Sequence, residues 1–524
     1  MSAPLTLAGY APSRLAMSAA DLDVLAGLVE VWQQKRTRNL LRSMYVAGTQ
    51  PFVDLGIALP PSLRDKDSAL MWPETVVRAL TDMIDLEGFV AAGQGTDPFG
   101  VSALVDDNRL LDEVPMAARS SAIHGCAFLT VSNGDTASGD PSQLILPRAA
   151  DMSAATWDRR RRRIGAFLAV TEADEIGMPT LMTMYQWDKV TTLARRRDGA
   201  WTVDARRNPL GEVTAFALPH NPDLERPFGR SRVTRALMRY TDAGIRTTFR
   251  GELNAEVYAG PQYWILGRTA GAVVGSDKWK AAYGRVFGLS YDEDNAVQPD
   301  VKRFEGASPQ PHIEHLRQWA SLVSSDSGVP LSALGVVHDQ PASAEAIFAE
   351  REPLMTRAKA FNRSMSPGVL GAVRAALRLR DGLTVDELRP LQALWADPVT
   401  TSPATRADAF VKLATSLPGF ADTEVGMEYA GLTREQIIRF RDERRRVDGQ
   451  DMLGRILAAR EGQGASSEGG ASGADPADLR ARAEALGILR RAGVEAQSAA
   501  QTAGLSGVEF IPGDPITIRE TDKA

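Results

Sequence analysis

The stretch Ser327–Ile347, SGVPLSALGVVHDQPASAEAI, constrains this 524-residue chain more tightly than any other. Just upstream, Ile313, Leu316, Ala320 and Val323 recur at helical spacing, which predicts an amphipathic helix with one apolar stripe. Gly328 and Pro330 stop it, because glycine accepts the left-handed cap conformation and proline lacks the N–H that would extend the ladder. A short, mostly apolar loop follows, Gly335-Val336-Val337-His338-Asp339-Gln340, and then Pro341-Ala342-Ser343 opens another helix. Ser343 is placed to cap that helix, and Glu345 sets a negative charge in its first turn, near Ile347. An apolar loop between a stopped helix and a capped one needs a cover. The cover is the chain itself, other copies of it, or something that passes over it.

A chain of this length exceeds one ordinary core, so two to four structural units are expected. Its composition is globular, at 44% hydrophobic and 24% charged residues. No apolar run is long enough to span a bilayer, and Arg14 interrupts the only stretch resembling a signal segment, so no membrane partner is expected. The single cysteine, Cys126, excludes an intrachain disulfide framework and fits folding in a reducing cytoplasm. The net charge of −6 argues against a protein that grips duplex DNA by neutralising phosphates, while leaving loose passage of DNA open.

Residues 18–45 read as a first helix, with Ser18 and Asp21 in a capping-box-like start and Leu25, Leu28, Val29 and Trp32 on one face; Tyr45–Gly48 close it. Further helices are predicted near 73–85 and 109–124. The region 125–220 then reads as strand-rich without clean alternation, with short runs at 126–131, 164–171, 180–187 and 211–218. Asn133-Gly134 and Asp198-Gly199 are hairpin-turn sequences. The fold class is therefore α+β. From Gly229 to Tyr258 a long helix is predicted, with Gly229 making a tight turn and Ser231 placed to cap it. Gly260–Gly267 is strand-like, and a shorter helix follows near 277–286. Two helices joined by a small β element make a protrusion. Helices dominate from Ser343 to about residue 460, where Pro353 should kink or break the first of them. Residues 461–478 are Gly/Ser/Ala-rich, a flexible linker by composition. Leu479–Ala492 could form a helix, and 508–511 and 515–518 are short strand-like runs.

No catalytic constellation emerges. His312 and His315 could share a helix face, yet no third and fourth ligand accompany them. Walker-type and dinucleotide-binding glycine motifs are absent, as is a nucleophile elbow. Asp292-Glu293-Asp294 lacks the ligand spacing of a calcium loop and reads as a solvated acidic loop. Arg159–Arg163, five arginines in a row, could meet phosphate, or form a solvated or inter-subunit face. The segment near 420–446, with Arg441 and Arg444–Arg446, is patterned like half of a helix-turn-helix and carries the alternative reading of a DNA-binding regulator. A divalent-metal nuclease using Asp292–Asp294 is a third reading.

The order of features is more telling than any one of them. Tyr45-Val46-Ala47-Gly48, Met71-Trp72-Pro73, Leu86-Glu87-Gly88-Phe89, and Asn108 followed by His124–Val131 open the series. Pro227-Phe228-Gly229-Arg230-Ser231, the Gly260–Gly267 element, Ser327–Gly335, Pro341–Ile347, Leu486–Gly493 and Ile516–Arg519 continue it. In this order they resemble the portal proteins of tailed bacteriophages, in the branch typical of long-tailed phages and prophages of actinobacteria. The chain departs from that pattern where Asp106-Asp107 stand in place of a tryptophan before Asn108.

The resemblance implies a non-enzymatic, cofactor-free and metal-free subunit of a ring, usually a dodecamer, at one capsid vertex of the virion, assembled in the host cytoplasm. Double-stranded DNA would pass through its channel without sequence specificity. The terminase large subunit, and later head-tail connector proteins, would dock on it, beside capsid and scaffold proteins. It also implies a domain plan. Residues 1–228 would be the N-terminal α+β part of a wing, 229–258 a stem helix, 259–276 a clip presenting Tyr263, Trp264 and Ile265 to partners, and 277–287 a second stem helix. The wing would return over 288–334. A tunnel loop and kinked tunnel helix would occupy 335–365, with Gly335–Gln340 lining the channel and Ser343, Glu345, Ile347 and Pro353 on the helix. A helical crown (366–460), a linker (461–478) and a tail (479–524) complete the plan.

Overall fold

The computed structural model describes residues 15–51, 70–93, 97–175, 177–258, 263–266, 300–303, 308–336, 344–399, 403–463, 482–487, 489 and 496–505. The chain divides into two compact units, Met1–Val399 and Thr400–Ala524. Among the described residues the fold is mixed α+β, as the strand-rich middle of the sequence predicts.

The first unit opens with α1 (Ala19–Ala47), whose Ser18 Oγ accepts the Asp21 N–H at 3.2 Å and whose end is Gly48 at φ 72°. Both ends follow from local chemistry, a serine N-cap and a left-handed glycine stop. Next come α2 (Trp72–Thr81), β1 (Leu86–Ala91), α3 (Val101–Asp107) and α4 (Leu110–His124). The strands β2 (Cys126–Asn133), β3 (Gln143–Ala149), β4 (Ser153–Asp158), β5 (Arg163–Ala173), β6 (Pro179–Tyr185), β7 (Lys189–Arg195), β8 (Trp201–Arg207) and β9 (Ala215–Pro219) follow. They form a three-stranded sheet ordered β3-β2-β9 and a five-stranded meander β4-β5-β6-β7-β8, antiparallel throughout. Asp198-Gly199 turns β7 into β8, with Gly199 at φ 82°. Asn133-Gly134 does not make a two-residue hairpin: the chain runs on through a short 3-10 turn, Thr136–Ser138, before β3.

Then come α5 (Arg235–Tyr258), β10 (Tyr263–Leu266), β11 (Asp300–Arg303), α6 (Gln310–Ser327), α7 (Ala344–Asp381) and β12 (Leu391–Trp395). The last strand pairs with β1, so the end of this unit returns to its beginning. Its principal core gathers α2, α4 and α7 around one face of the β3-β2-β9 sheet, with Leu80, Val114, Leu218, Val323, Phe361 and Val373 all buried. A second core lies where α1 crosses the meander, with Leu28 and Trp32 against Leu168, Met182 and Met184. A third joins the two sheets, where the tilted rings of Phe128 and Phe167 lie 4.8 Å apart beside the buried Cys126. Two glycines let α7 lie close on β9: a Cβ on Gly368 would stand 2.1 Å from the Ala217 carbonyl oxygen, and one on Gly371 would stand 2.5 Å from the Phe216 ring.

Helix α7 runs unbroken through Pro353 and Pro367. Of the kink or break expected at Pro353, the break is absent. The expected boundary between tunnel helix and crown at 365/366 falls inside this helix, and 366–399 belong to the first unit.

The second unit holds α8 (Pro403–Ser416), α9 (Glu424–Ala430), α10 (Arg434–Gln463) and α11 (Ala496–Thr502), with 482–487 also helical. Phe420 links α8 to α9 through Phe410 and Tyr429, at ring distances of 6.3 and 6.2 Å. Most of the linker at 461–478, and the strand-like runs 508–511 and 515–518, lie outside the described residues.

Candidate channel segment and stem entry

Helix α6 ends where Gly328 takes φ 70° and its N–H bonds to the Ser324 carbonyl at 2.7 Å. Of the predicted apolar stripe, Ala320 and Val323 are buried and Leu316 packs against the core, while Ile313 stays 44% exposed. Pro330, extended at ψ 142°, leads into a 3-10 turn, Leu331–Leu334, that Gly335 closes at φ 85°. The Val336 N–H returns to the Leu331 carbonyl at 3.2 Å, and the Val336 side chain packs, partly buried, against the main core. Glu350 of α7 accepts the Leu331 N–H at 2.9 Å, so the turn is tied to the helix that follows the loop. Val337, His338, Asp339, Gln340 and Ser343 lie outside the described residues. Glu345 stands in the first turn of α7.

The start of α7 points away from its own core. Residues 346–353 are all exposed, including Ile347 and Phe348 at 44% and 45%, and burial begins at Leu354 and Met355. The junction beneath them is pinned by charge-assisted hydrogen bonds, which are stronger than neutral ones. The Ser327 carbonyl accepts from two guanidinium groups, Arg232 Nη2 at 3.1 Å and Arg357 Nη1. Arg232 Nε also donates to the Val76 carbonyl at 2.7 Å. Burial drives the Arg232 pKa down to about 9, Arg357 adds to the fall, and Asp326 partly opposes it.

The stem entry is built on the same principle. Gly229 sits at φ 76°, and a Cβ there would meet the carbonyl oxygens of His220 at 2.2 Å and Gly125 at 2.6 Å, so the tight turn requires glycine. Ser231 does not cap the long helix. Its hydroxyl donates to the Ile123 carbonyl at 2.5 Å and accepts the Val233 N–H at 2.9 Å, while Thr234 Oγ1 takes the Leu237 N–H at 3.0 Å and begins α5 at Arg235. The preference for serine at caps is real, but a buried carbonyl from α4 claims this one first. His220 Nδ1 lies 2.6 Å from the Arg230 carbonyl, and its ring meets Phe361 edge-on. Burial lowers the His220 pKa to about 4, with Arg232 and Arg357 pushing the same way and the Arg230 carbonyl opposing.

Tyr263, Trp264 and Ile265 lie in β10, which pairs antiparallel with β11: Tyr263 faces Arg303, Trp264 faces Lys302 and Ile265 faces Val301. The second strand comes from Asp300–Arg303, a stretch expected to belong to the returning wing. The helix predicted near 277–286 lies outside the described residues, as does the Asp292–Asp294 loop.

Other candidates resolve into ordinary structure. Arg159–Arg162 form the exposed turn between β4 and β5, where Asp158 accepts the N–H groups of Arg160 and Arg161. His312 lies 3.4 Å from the Asn254 amide, and His315 stacks on Trp319; no three-residue cluster of metal-ligating side chains exists among the described residues. In the helix-turn-helix-like segment Arg441 pairs with Glu424 and Arg444 with Asp422, so these guanidinium groups already hold carboxylates. Among the described residues no helix is long and apolar enough to cross a membrane.

No model of a known protein family matches the sequence. Two curated proteins named "Portal protein" do. The one from Mycobacterium phage L5 is 26% identical over 435 residues, 80% of this chain and 87% of the relative. The one from Mycobacterium phage D29 is 27% identical over 481 residues, 88% of this chain and 95% of the relative. Among solved structures, the neck of a native GTA particle with C12 symmetry aligns at a TM-score of 0.37 and 13% identity, covering 69% of this chain and 89% of that one. The neck of an empty GTA particle with C6 symmetry aligns at 0.39 and 14%, covering 69% and 90%. Those superpositions are loose, and the kinship rests on sequence.

Proposed function

We propose, for a chain homologous along most of its length to phage portal proteins, the role of ring subunit at a capsid vertex, with double-stranded DNA passing through the ring on its way in and out. The observation that carries this reading is the collinear relation to two portal proteins, spanning both units of the chain. The local physics is compatible with it. Two apolar side chains, Ile347 and Phe348, stand in solvent at the start of α7, directly after the mostly uncharged loop. A channel lining of this kind touches a duplex without accumulating fixed phosphate contacts, which would add salt-dependent affinity and slow translocation.

In this reading the loop Gly335–Gln340 lines the channel, with the Val336 side chain partly turned to its own core, and Ser343, Glu345, Ile347 and Pro353 belong to the helix behind it. The β10–β11 ribbon with Tyr263, Trp264 and Ile265 meets the terminase motor and then the head-tail connector proteins. Neighbouring copies, a dodecamer in the usual case that the resemblance implies, close the ring; capsid and scaffold proteins surround it in the virion. The role is structural, without catalysis. The test is assembly: mass photometry and negative-stain class averages of the purified chain should show a closed ring viewed down its axis. Monomers and dimers alone, across concentration and salt, would overturn the reading.

A further inference from the structure

Three consecutive carbonyls at the C-terminal end of α4 collect donors from two distant parts of the chain. The Ala122 carbonyl takes the Arg232 N–H at 2.8 Å, Ile123 takes the Ser231 hydroxyl at 2.5 Å, and His124 takes Arg42 Nη1 at 2.9 Å. This convergence sets the second half of α1 beside the stem entry. It brings Arg42, and Arg38 one turn before it, next to Arg235 in the first turn of α5 and Arg226 on the loop leading there. Among the described residues none of the four makes an ion pair, and Arg42 Nε is buried without a hydrogen-bond partner. Burial, together with the neighbouring guanidinium groups of Arg38, Arg226 and Arg235, takes the Arg42 pKa down to about 10. The negative end of the α4 dipole, about half a charge, offsets only part of four cations. The other arginines at this joint, Arg232 and Arg357, are held by carbonyls, and Arg230 by Asp223. Asp151 lies close enough to act on His124, yet among the described residues no carboxylate pairs with Arg38, Arg42, Arg226 or Arg235.

We propose that the notch formed by Arg38, Arg42, Arg226 and Arg235 receives carboxylates from a neighbouring copy of this chain. The inference rests on the ring reading above. A ring interface is heterologous: each subunit presents two different, complementary faces. The same unit carries the complement, because Asp106, Asp107 and Glu113 on α3 and α4 make no side-chain hydrogen bond or ion pair among the described residues. Guanidinium forks suit planar carboxylates held in place. A sliding duplex is the poorer occupant, since it would have to break each phosphate contact as it moved.

The experiment compares the full chain with Arg38→Glu/Arg226→Glu, two exposed positions whose side chains bond nothing else described, by sedimentation velocity across a NaCl series. Circular dichroism melting confirms folding. Wild-type rings should form, and the reversed pair should dissociate at a salt concentration at least ~threefold lower, because opposed charges are screened progressively by salt. The neutral pair Arg38→Gln/Arg226→Gln should fall between them, and it carries the test if the reversed pair misfolds. Rings with an unchanged salt midpoint overturn the proposal and leave the ring reading standing. Rings of unchanged salt stability that lose retention of a fluorescent duplex also overturn it, marking the notch as a phosphate site. A wild-type chain that never forms rings overturns the ring reading itself.

Discussion

The exposed first part of α7 and its buried remainder belong to one helix and differ in what they touch. From 346 to 353 every side chain is exposed, with Ile347 and Phe348 in solvent. From Leu354 onward the helix runs through the main core, burying Ala358, Phe361, Met365, Val369, Val373 and Leu377. A helix is held in place mainly by tertiary packing of its apolar face, so the buried half anchors the exposed one. The contrast also explains why two prolines fail to break it. Pro353 and Pro367 each leave a carbonyl four residues earlier without its donor, on Ala349 and Arg363, and both of those residues are exposed to water that can replace it.

Substitutions in the two halves should therefore behave oppositely. The largest effect belongs to Gly368→Val in the buried half: with a Cβ aimed at the Ala217 carbonyl, the helix must lift off β9. A loss above about 4 kcal/mol, seen as an unfolded or aggregated product by circular dichroism, is expected. Phe361→Ala should cost about 3–5 kcal/mol, read from the urea midpoint, because it empties a fully packed site. An unchanged midpoint would show that this half is not the anchor.

His220, packed on Phe361, adds a pH dependence of definite sign. It is buried in its neutral form with a pKa near 4, below the ordinary 6.5, so the unfolded chain binds the proton more readily. Its contribution is fully present above pH 6.5 and is lost as pH falls toward 4, by up to about 3 kcal/mol. Urea midpoints of wild type should drop between those values. His220→Gln should flatten the slope, and an equal slope in both proteins would refute the assignment.

Arg357→Met removes one of two charged donors on the Ser327 carbonyl and should cost about 1–3 kcal/mol by chemical denaturation. Smallest in stability is Ile347→Asp in the exposed half, within about 0.5 kcal/mol of wild type. In the ring reading it should still reduce packaged DNA in a plaque or packaging assay. Val336→Asp is a poorer probe of the channel, because Val336 packs partly buried against its own core and the substitution would disturb folding as well.

Much of the first unit was legible where a local rule decides. Ser18 and Gly48 bound α1, Gly328 stops α6, and Asp198-Gly199 turns a hairpin. Strands β3, β4, β7 and β8 were not legible as strands, because packing between two layers or facing solvent throughout erases alternation: β8 is exposed or half-exposed along its whole length. Ser231 misled because a buried carbonyl 108 residues away outcompetes the cap. The close approach at Gly368 and the arginine notch are invisible in sequence for a related reason. Residues 38, 42, 226 and 235 meet only after the end of α4 gathers them.

Cys126 sits in the core between the two sheets, with burial raising its thiol well above the ordinary range. Since it is the sole cysteine, the folded chain is chemically almost inert toward maleimides and other thiol reagents. Any cysteine introduced on the surface, at position 347 for instance, would be alone in its reactivity. A fluorophore or heavy-atom cluster could then be placed once per subunit without first removing a native thiol, and its rate of modification would report directly on whether that position is shielded.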